Sequence, residues 1–400
     1  MSTAEGANLL TARRFCDTIF YMKDHEDIVA LAKKFGIGAE YAGEAFYPAF
    51  RSSVRGMRLL LLADENTKIY AKPLAEALAA RGQDADLFVI PEREPVADEK
   101  TCALVSEKLK GYDHILAVGA GTLNDIAKYT GFLAGKRCGV FATAASMDGF
   151  TSGVTPLIKK GFKITENAQT VSEILIDLDV LCAAPRLMTG AGVGDILAKY
   201  CCLTDWKMAH LLKGEAYSEE AAALMRGALG KCVENMESIQ KCGKEGIDAL
   251  MRALLISGFA MVIAGSSRPA SGAEHHMSHF LEMDFLRRGE RIPLHGVKVG
   301  LGTLVSLAMY GRIKDIPEDF EGKETVAELA AGLPSPESVA AVLAAFGCPT
   351  RFSELGIAKD TMRDMLFNCY KIRDRFTIMT LYHEHDLMKG AADELIGRFY

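Results

Sequence analysis

HILAVGAGTLND, residues 114–125, decides the fold. His114–Val118 has the length and composition of a strand buried on both faces, and Gly119-Ala120-Gly121-Thr122 then turns the chain into a helical segment, Asn124–Leu133. The same alternation continues on both sides. Upstream, Arg58–Ala63 (RLLLLA) reads as a strand, Thr67–Arg81 as a helix, Asp84–Pro91 as a strand and Lys100–Leu109 as a helix. Downstream, Gly139–Thr143 and Glu173–Val180 (EILIDLDV) read as further strands. Strand–helix alternation at this spacing predicts a doubly wound, Rossmann-like α/β domain with a parallel sheet. From about Pro185 the strand signal stops. Asp195–Leu211, Ser218–Met236, Lys244–Ala264, His276–Leu286, Val297–Tyr310, Glu337–Phe346 and Lys359–Tyr370 carry apolar residues three and four apart, which predicts an all-helical C-terminal domain. The expected division is 1–184 and 185–400. The charged run Lys314–Glu324 reads as a surface loop. In the first 50 residues one helix is expected, Asp24–Phe35, stopped by Gly36.

Composition narrows the function classes. Of 400 residues, 49% are hydrophobic and 24% charged, which excludes a disordered or fibrous chain. A net charge of −6 without a basic block argues against nucleic-acid binding. The longest strongly apolar stretch, Ala253–Gly265, is about 13 residues against the roughly 20 that span a bilayer, so it reads as a buried helix and no membrane insertion is expected. The opening residues MSTAEGANLLTARRF lack the basic and apolar regions of a secretory signal. Ten cysteines without CxxC pairs read as free thiols in a reducing cytoplasm.

Four motifs carry the chemistry. Gly119-Ala120-Gly121-Thr122-Leu123-Asn124-Asp125 joins a strand to a helix, where small residues and helix N–H groups receive phosphate oxygens; an ordinary tight βα turn has the same look. Thr143-Ala144-Ala145-Ser146-Met147-Asp148-Gly149, with Thr151-Ser152, groups small hydroxyls around one acid. That suits a ribose or polyol, and Asp148 could equally cap a helix or turn. Gly190-Ala191-Gly192-Val193-Gly194-Asp195 places Asp195 at a glycine-rich helix entry, as an N-cap or a ligand, with Lys199 four residues on as an ion-pair partner. Ser266-Ser267-Arg268-Pro269-Ala270-Ser271-Gly272-Ala273-Glu274-His275-His276-Met277-Ser278-His279 holds three of the nine histidines. On a helix His275 and His279 share a face, a frequent transition-metal arrangement. His295, after Pro293, is a free candidate for the same site. An acid and imidazoles beside a dinucleotide turn are the requirements of a metal-assisted alcohol dehydrogenase.

In their order, GAGTLND, TAASMDG, GAGVGDILAKY with Asp205-Trp206-Lys207, SSRPASGAEHHMSH and LHGVKVGLGT resemble the sn-glycerol-1-phosphate dehydrogenases. These belong to the superfamily of iron-dependent alcohol dehydrogenases, glycerol dehydrogenases and dehydroquinate synthase. The match runs from roughly Met57 to Leu387, and Ile372–Leu381 is similar to that family's closing helix. The resemblance implies a dehydroquinate synthase-like fold and one divalent ion (Zn, Ni or Fe) on Asp195, His275 and His295. It puts His279 toward substrate and makes Asp148 a substrate-binding acid. It implies that Gly119, Gly121, Thr122, Asn124 and Asp125 face the dinucleotide pyrophosphate, and Thr143, Ser146 and Ser152 the nicotinamide. Asp64, after the first strand, is placed to meet the adenosine ribose, which would favour NAD over NADP. The chain departs from the family in its first 50 residues and at Gly161–Thr170, which lacks an expected lysine-rich, proline-containing form; Lys159, Lys160 and Lys163 lie nearby.

The reading that follows is reversible reduction of dihydroxyacetone phosphate to sn-glycerol-1-phosphate by NAD(P)H, in a homo-oligomer, a dimer by preference. Alternatives on the same fold are a dehydrogenase of another small polyol or phosphonate analogue, and a dehydroquinate-synthase-like cyclase. The cyclase would need Gly-Gly-Lys where Thr151-Ser152-Gly153 stands and Glu where Asp195 stands. A non-catalytic binding module would need broken metal ligands, and here they are intact.

Overall fold

The computed structural model describes residues 28–41 and 47–400. The described residues fall into two compact units. One comprises residues up to Pro185 together with Lys241–Phe259, and the other comprises Arg186–Gln240 and Ala260–Tyr400.

The sheet unit holds six parallel strands: β1 (Gly38–Tyr41), β2 (Leu59–Ala63), β3 (Ala85–Val89), β4 (His114–Gly119), β5 (Arg137–Ala142) and, after a separate hairpin, β8 (Glu173–Ile176). Their order is β1-β8-β5-β4-β2-β3. β2, β4 and β8 are buried along their whole length, as a sheet covered on both faces requires. The register pairs Leu59 with both Ala85 and His114, and His114 with Arg137. From β2 the chain steps to β3 on one side, then returns past β2 to β4 on the other. The sheet therefore reverses direction between β2 and β4, and ligands of such sheets bind beyond the strand ends at that reversal.

Three differences from the sequence reading have local causes. Glu173–Val180 is not one strand: β8 stops at Ile176, and Asp177 caps a short helix, Leu178–Cys182, by accepting from the Asp179 and Val180 N–H groups. A hairpin was not expected at Val154–Asn167. There β6 (Val154–Lys159) and β7 (Phe162–Asn167) pair antiparallel around Lys160 and Gly161, both at positive φ (50° and 79°), the geometry of a two-residue hairpin turn. The departure noted at Gly161–Thr170 is this second strand. In the expected N-terminal helix, Ile28–Lys34 is helical and Gly36 takes the left-handed conformation (φ 70°); residues 24–27 lie outside the described residues, as does the MSTAEGANLLTARRF stretch.

The second unit is helical, and no strand occurs among its described residues. Lys314–Glu324 is not loop throughout, since a helix starts at Lys323 and runs to Ala330. The helix Lys244–Ala264 is 21 residues long and apolar enough by length and composition to cross a membrane. Its apolar residues Ile247, Leu250, Met251, Leu254, Leu255 and Phe259 are buried within the protein, and Phe259 stacks on Phe35 at 4.9 Å.

Candidate active site

In the sheet unit, β4 ends at Gly119 and the helix Gly121–Ala134 starts two residues later. A Cβ on Gly119 would stand 2.4 Å from Leu123 Cδ1, so this turn demands glycine. A Cβ on Gly121 would stand 3.2 Å from Met147 Cγ. No side chain caps the helix, so its first N–H groups, from Gly121 and Thr122 onward, are presented as a phosphate-binding end. Asn124 is fully buried, and neither its amide nitrogen nor its amide oxygen has a partner among the described residues. An uncapped helix start with an orphaned amide in its first turn fits a dinucleotide pyrophosphate. Asp125 is also largely buried on this helix.

The other expected cofactor residues lie on the same strand ends. Asp64 follows β2 and its Oδ1 accepts from the N–H groups of Asn66 (2.9 Å) and Thr67 (2.8 Å) and from the Thr67 hydroxyl (3.0 Å). The carboxylate thus fixes the turn into Lys68–Ala79 and stays beside the reversal point. Thr143 N–H donates to the Gly119 carbonyl at 3.2 Å, which ties the ends of β5 and β4 together. Ser146, like Thr143, is largely buried. No helix begins after Asp148, so the helix-cap alternative falls away. Its Oδ2 accepts from Ser257 Oγ at 2.7 Å.

Sequence reasoning missed Lys128. It is fully buried, and its Nζ donates to the Gly149 carbonyl (3.0 Å), Ser152 Oγ (3.0 Å) and the Val154 carbonyl (2.9 Å). Burial pulls its pKa down to about 8, with nearby Asp125 opposing. This lysine fastens the loop that carries Asp148, and Ser152 is one of its acceptors. Thr151 fastens the same loop to the long helix by donating to the Leu255 carbonyl at 2.8 Å. The available signal was a lysine four residues after Asn124 in a helix with no other basic residue.

In the helical unit, Asp195, His275 and His295 offer ligand atoms that all lie within 4.8 Å of one another. They come from three helices: Arg186–Leu197, Ala273–Arg288 and His295–Tyr310. Asp195 is not at a helix entry. The helix starts at Arg186, Asp195 is its tenth residue, and the glycines lie inside it. They serve close packing: a Cβ on Gly194 would stand 2.4 Å from the Gly296 carbonyl oxygen, and one on Gly296 only 1.8 Å from that of Ala191. The small face of one helix thus lets the other approach until His295 reaches Asp195.

The triad fits a divalent ion on the chemistry of its donors, one carboxylate and two imidazoles. An ion ~2.1 Å from each ligand keeps ligands within ~4.2 Å of one another, so only a small closing is needed. His275 Nδ1 contacts Glu274 Oε1 at 2.8 Å, while Nε2 lies 3.8 Å from Asp195 Oδ1. A carboxylate on one imidazole nitrogen is the arrangement that orients the other toward a metal. Burial, then the neighbouring His295 and Lys199, holds His275 well below the usual histidine range, in the neutral form that ligates. Lys199 Nζ lies 3.3 Å from Asp195 Oδ1 and donates to the Ala270 carbonyl, so the ion-pair expectation holds alongside the ligand geometry. Asp205 braces this assembly. It accepts from Ala273 N–H (2.8 Å) at the start of the His275 helix, from Ile378 N–H (2.7 Å) and from Tyr310 Oη (2.6 Å).

His279 shares the His275 helix but not the triad. Its Nδ1 meets Glu282 Oε2 at 3.0 Å and its Nε2 meets Arg373 Nη2 at 3.3 Å. A guanidinium can only donate, so Nε2 accepts and Nδ1–H donates to Glu282. Glu282 is buried and is also 3.4 Å from Lys298 Nζ.

Residues 46–185 match the family model described as iron-containing alcohol dehydrogenase. The iron-containing alcohol dehydrogenase from Thermococcus thioreducens shares the fold, with a TM-score of 0.65 at 16% identity over 88% of this chain and 98% of that one. The structural likeness shows the fold, and the family-model match falls within the sheet unit. A glycerol-1-phosphate dehydrogenase [NAD(P)+] of Bacillus velezensis is 38% identical over 337 residues, 82% of this chain and 85% of its own. That of Halalkalibacterium halodurans is 36% identical over 347 residues, 82% and 87%. The chain belongs to the glycerol-1-phosphate dehydrogenase family.

Proposed function

We infer that this protein interconverts dihydroxyacetone phosphate and sn-glycerol-1-phosphate. In the reducing direction ketone, NAD(P)H and a proton give alcohol and NAD(P)+. The observation that carries the reading is the likeness to glycerol-1-phosphate dehydrogenases along most of both chains. The grouping of Asp195, His275 and His295 supports it independently.

When bound, the divalent ion supplies Lewis acidity at the substrate carbonyl, and the nicotinamide supplies or takes the hydride. The chain's own residues do the rest. His275 is oriented by Glu274, and Lys199 holds Asp195. Asp148, steadied by Ser257, binds a substrate hydroxyl. With Nε2 as acceptor, His279 can receive the hydrogen of a substrate hydroxyl in place of the Arg373 contact. The uncapped start of Gly121–Ala134 receives the pyrophosphate, with Gly119, Gly121, Thr122, Asn124 and Asp125 forming the turn. Thr143, Ser146 and Ser152 line the nicotinamide side, and Asp64 meets the adenosine ribose, favouring NAD. Zinc, nickel and iron all suit the donor set, a homodimer is the expected assembly, and the cytoplasm is the expected location.

The test is NAD+ reduction by metal-loaded protein with sn-glycerol-1-phosphate, sn-glycerol-3-phosphate and glycerol. The 1-phosphate should react fastest. Equal or faster oxidation of glycerol would make the chain a general polyol dehydrogenase.

A further inference from the structure

Arg373 and Arg375 lie on the segment between a short 3-10 turn, Cys369–Ile372, and the helix Ile378–Glu384. Arg375 Nη2 donates to Ser267 Oγ at 2.8 Å and Nη1 to the Ser271 carbonyl at 3.2 Å. Arg373 Nη1 donates to the same Ser267 Oγ at 3.3 Å. Both guanidiniums are half-buried, and neither forms an ion pair among the described residues. Their neighbour Arg268 shows the contrast, holding Glu215 through two hydrogen bonds of 2.7 and 2.6 Å. Glu282 acts on Arg373, and Glu215 and Glu274 on Arg375, only from beyond ion-pair contact, and two partly buried cations without a contact carboxylate are costly unless an anion joins them.

The surroundings also lack partners. Ser271 Oγ and both ring nitrogens of His276 are buried with no hydrogen bond among the described residues. Burial brings Arg375 down to about 10, Arg373 and Arg268 add to the fall, and Glu215 and Glu274 oppose it. Arg373 touches His279, which is one helical turn from the triad residue His275. One turn rises ~5–6 Å, on the scale of the span from the carbonyl oxygen of a triose phosphate to its outer phosphate oxygens.

We propose that Arg373 and Arg375, with Ser267 between them, form the site that receives the phosphoryl group of the substrate. The proposal rests on the triose-phosphate reading above and names the residues that make it specific. Two planar forks can give parallel N–H bonds to phosphate oxygens, and Ser267 Oγ, fixed by both, adds a third polar group. The site separates phosphorylated from unphosphorylated ketones by charge as well as by size.

The experiment compares kcat/KM for dihydroxyacetone phosphate and dihydroxyacetone in metal-loaded wild type, Arg375→Gln, Arg375→Lys and Arg373→Gln. Inorganic phosphate is the competing probe. Arg363→Gln, an exposed arginine paired with Asp393, is the control. Wild type should prefer the phosphorylated ketone. Arg375→Gln should cut that preference by about tenfold to a hundredfold, the size of a lost charge-assisted hydrogen bond. The loss should fall mainly on KM, with a matching rise in the inhibition constant of inorganic phosphate. Arg375→Lys should retain more of the preference, and it carries the comparison if the Gln variant does not fold. A wild-type preference that survives substitution of both arginines overturns the site alone. A wild type without preference overturns the triose-phosphate reading and the site with it.

Discussion

Gly296 rests on the backbone of Ala191. The 1.8 Å that would separate a Gly296 Cβ from the Ala191 carbonyl oxygen leaves no room for any side chain. His295 is the preceding residue, so this contact decides whether the third triad member reaches the other two. Gly296→Ala should destabilise the protein by ~3 kcal/mol, because the two helices must part. The melting temperature should drop by roughly 6–12 °C, and bound metal should fall with it. Gly227 is the contrast: it lies inside the helix Glu219–Glu234 with open space at its Cβ, and Gly227→Ala should raise stability by ~0.5–1 kcal/mol. Calorimetry of both variants checks the pair.

Asp64 has two duties that one substitution can separate. Asp64→Asn keeps an acceptor oxygen for the Asn66 and Thr67 donors but removes the charge. It should narrow the preference for NAD over NADP with little change in stability. Asp64→Ala should narrow it too and also cost ~1 kcal/mol for the lost turn contacts. Equal use of both dinucleotides by the wild type would show that the carboxylate does not meet the ribose.

Asp148→Asn and His279→Ala should each lower kcat/KM by about tenfold to a hundredfold while metal stays bound, the scale of one or two lost substrate hydrogen bonds. Metal analysis alongside the kinetics separates this from damage to the triad. Unchanged kinetics in either variant would remove that residue from the substrate site.

Lys128 gives stability a pH signature. Its folded pKa is about 8 against 10.5 for an ordinary lysine, so between these values the unfolded chain binds more protons. Stability from this group therefore rises with pH from 8 to 10.5 and is flat below 8. The stability difference, wild type minus Lys128→Met, should grow over that window by up to about 3 kcal/mol. Denaturant titrations at three pH values across the window measure it. Activity should fall in the variant as well, since the loop bearing Asp148 loses three hydrogen bonds.

Much of this was legible from residue types. The largely apolar strands β2, β4 and β8 announced a covered parallel sheet, and the helix Lys244–Ala264 was readable to the residue. The glycines of Gly190–Gly194 misled because glycine marks both loops and close helix crossings. Only the partner helix, with Gly296 opposite, tells the two apart. The hairpin was hidden because its strands are short, charged and interrupted by Pro156, so no apolar alternation shows. Arg373 and Arg375 were quoted only as part of a closing helix. They stand out because they are half-buried with no contact ion pair among the described residues, and that depends on residues about a hundred positions away in the chain.

The central claim is that Asp195, His275 and His295 together form one metal centre. Metal content of purified, reconstituted protein tests it most directly, measured for wild type and His275→Ala with circular dichroism to confirm folding. Wild type should carry one divalent ion per chain, and the variant should fold but lose both the ion and the activity. A folded His275→Ala protein that keeps a full complement of metal would contradict it.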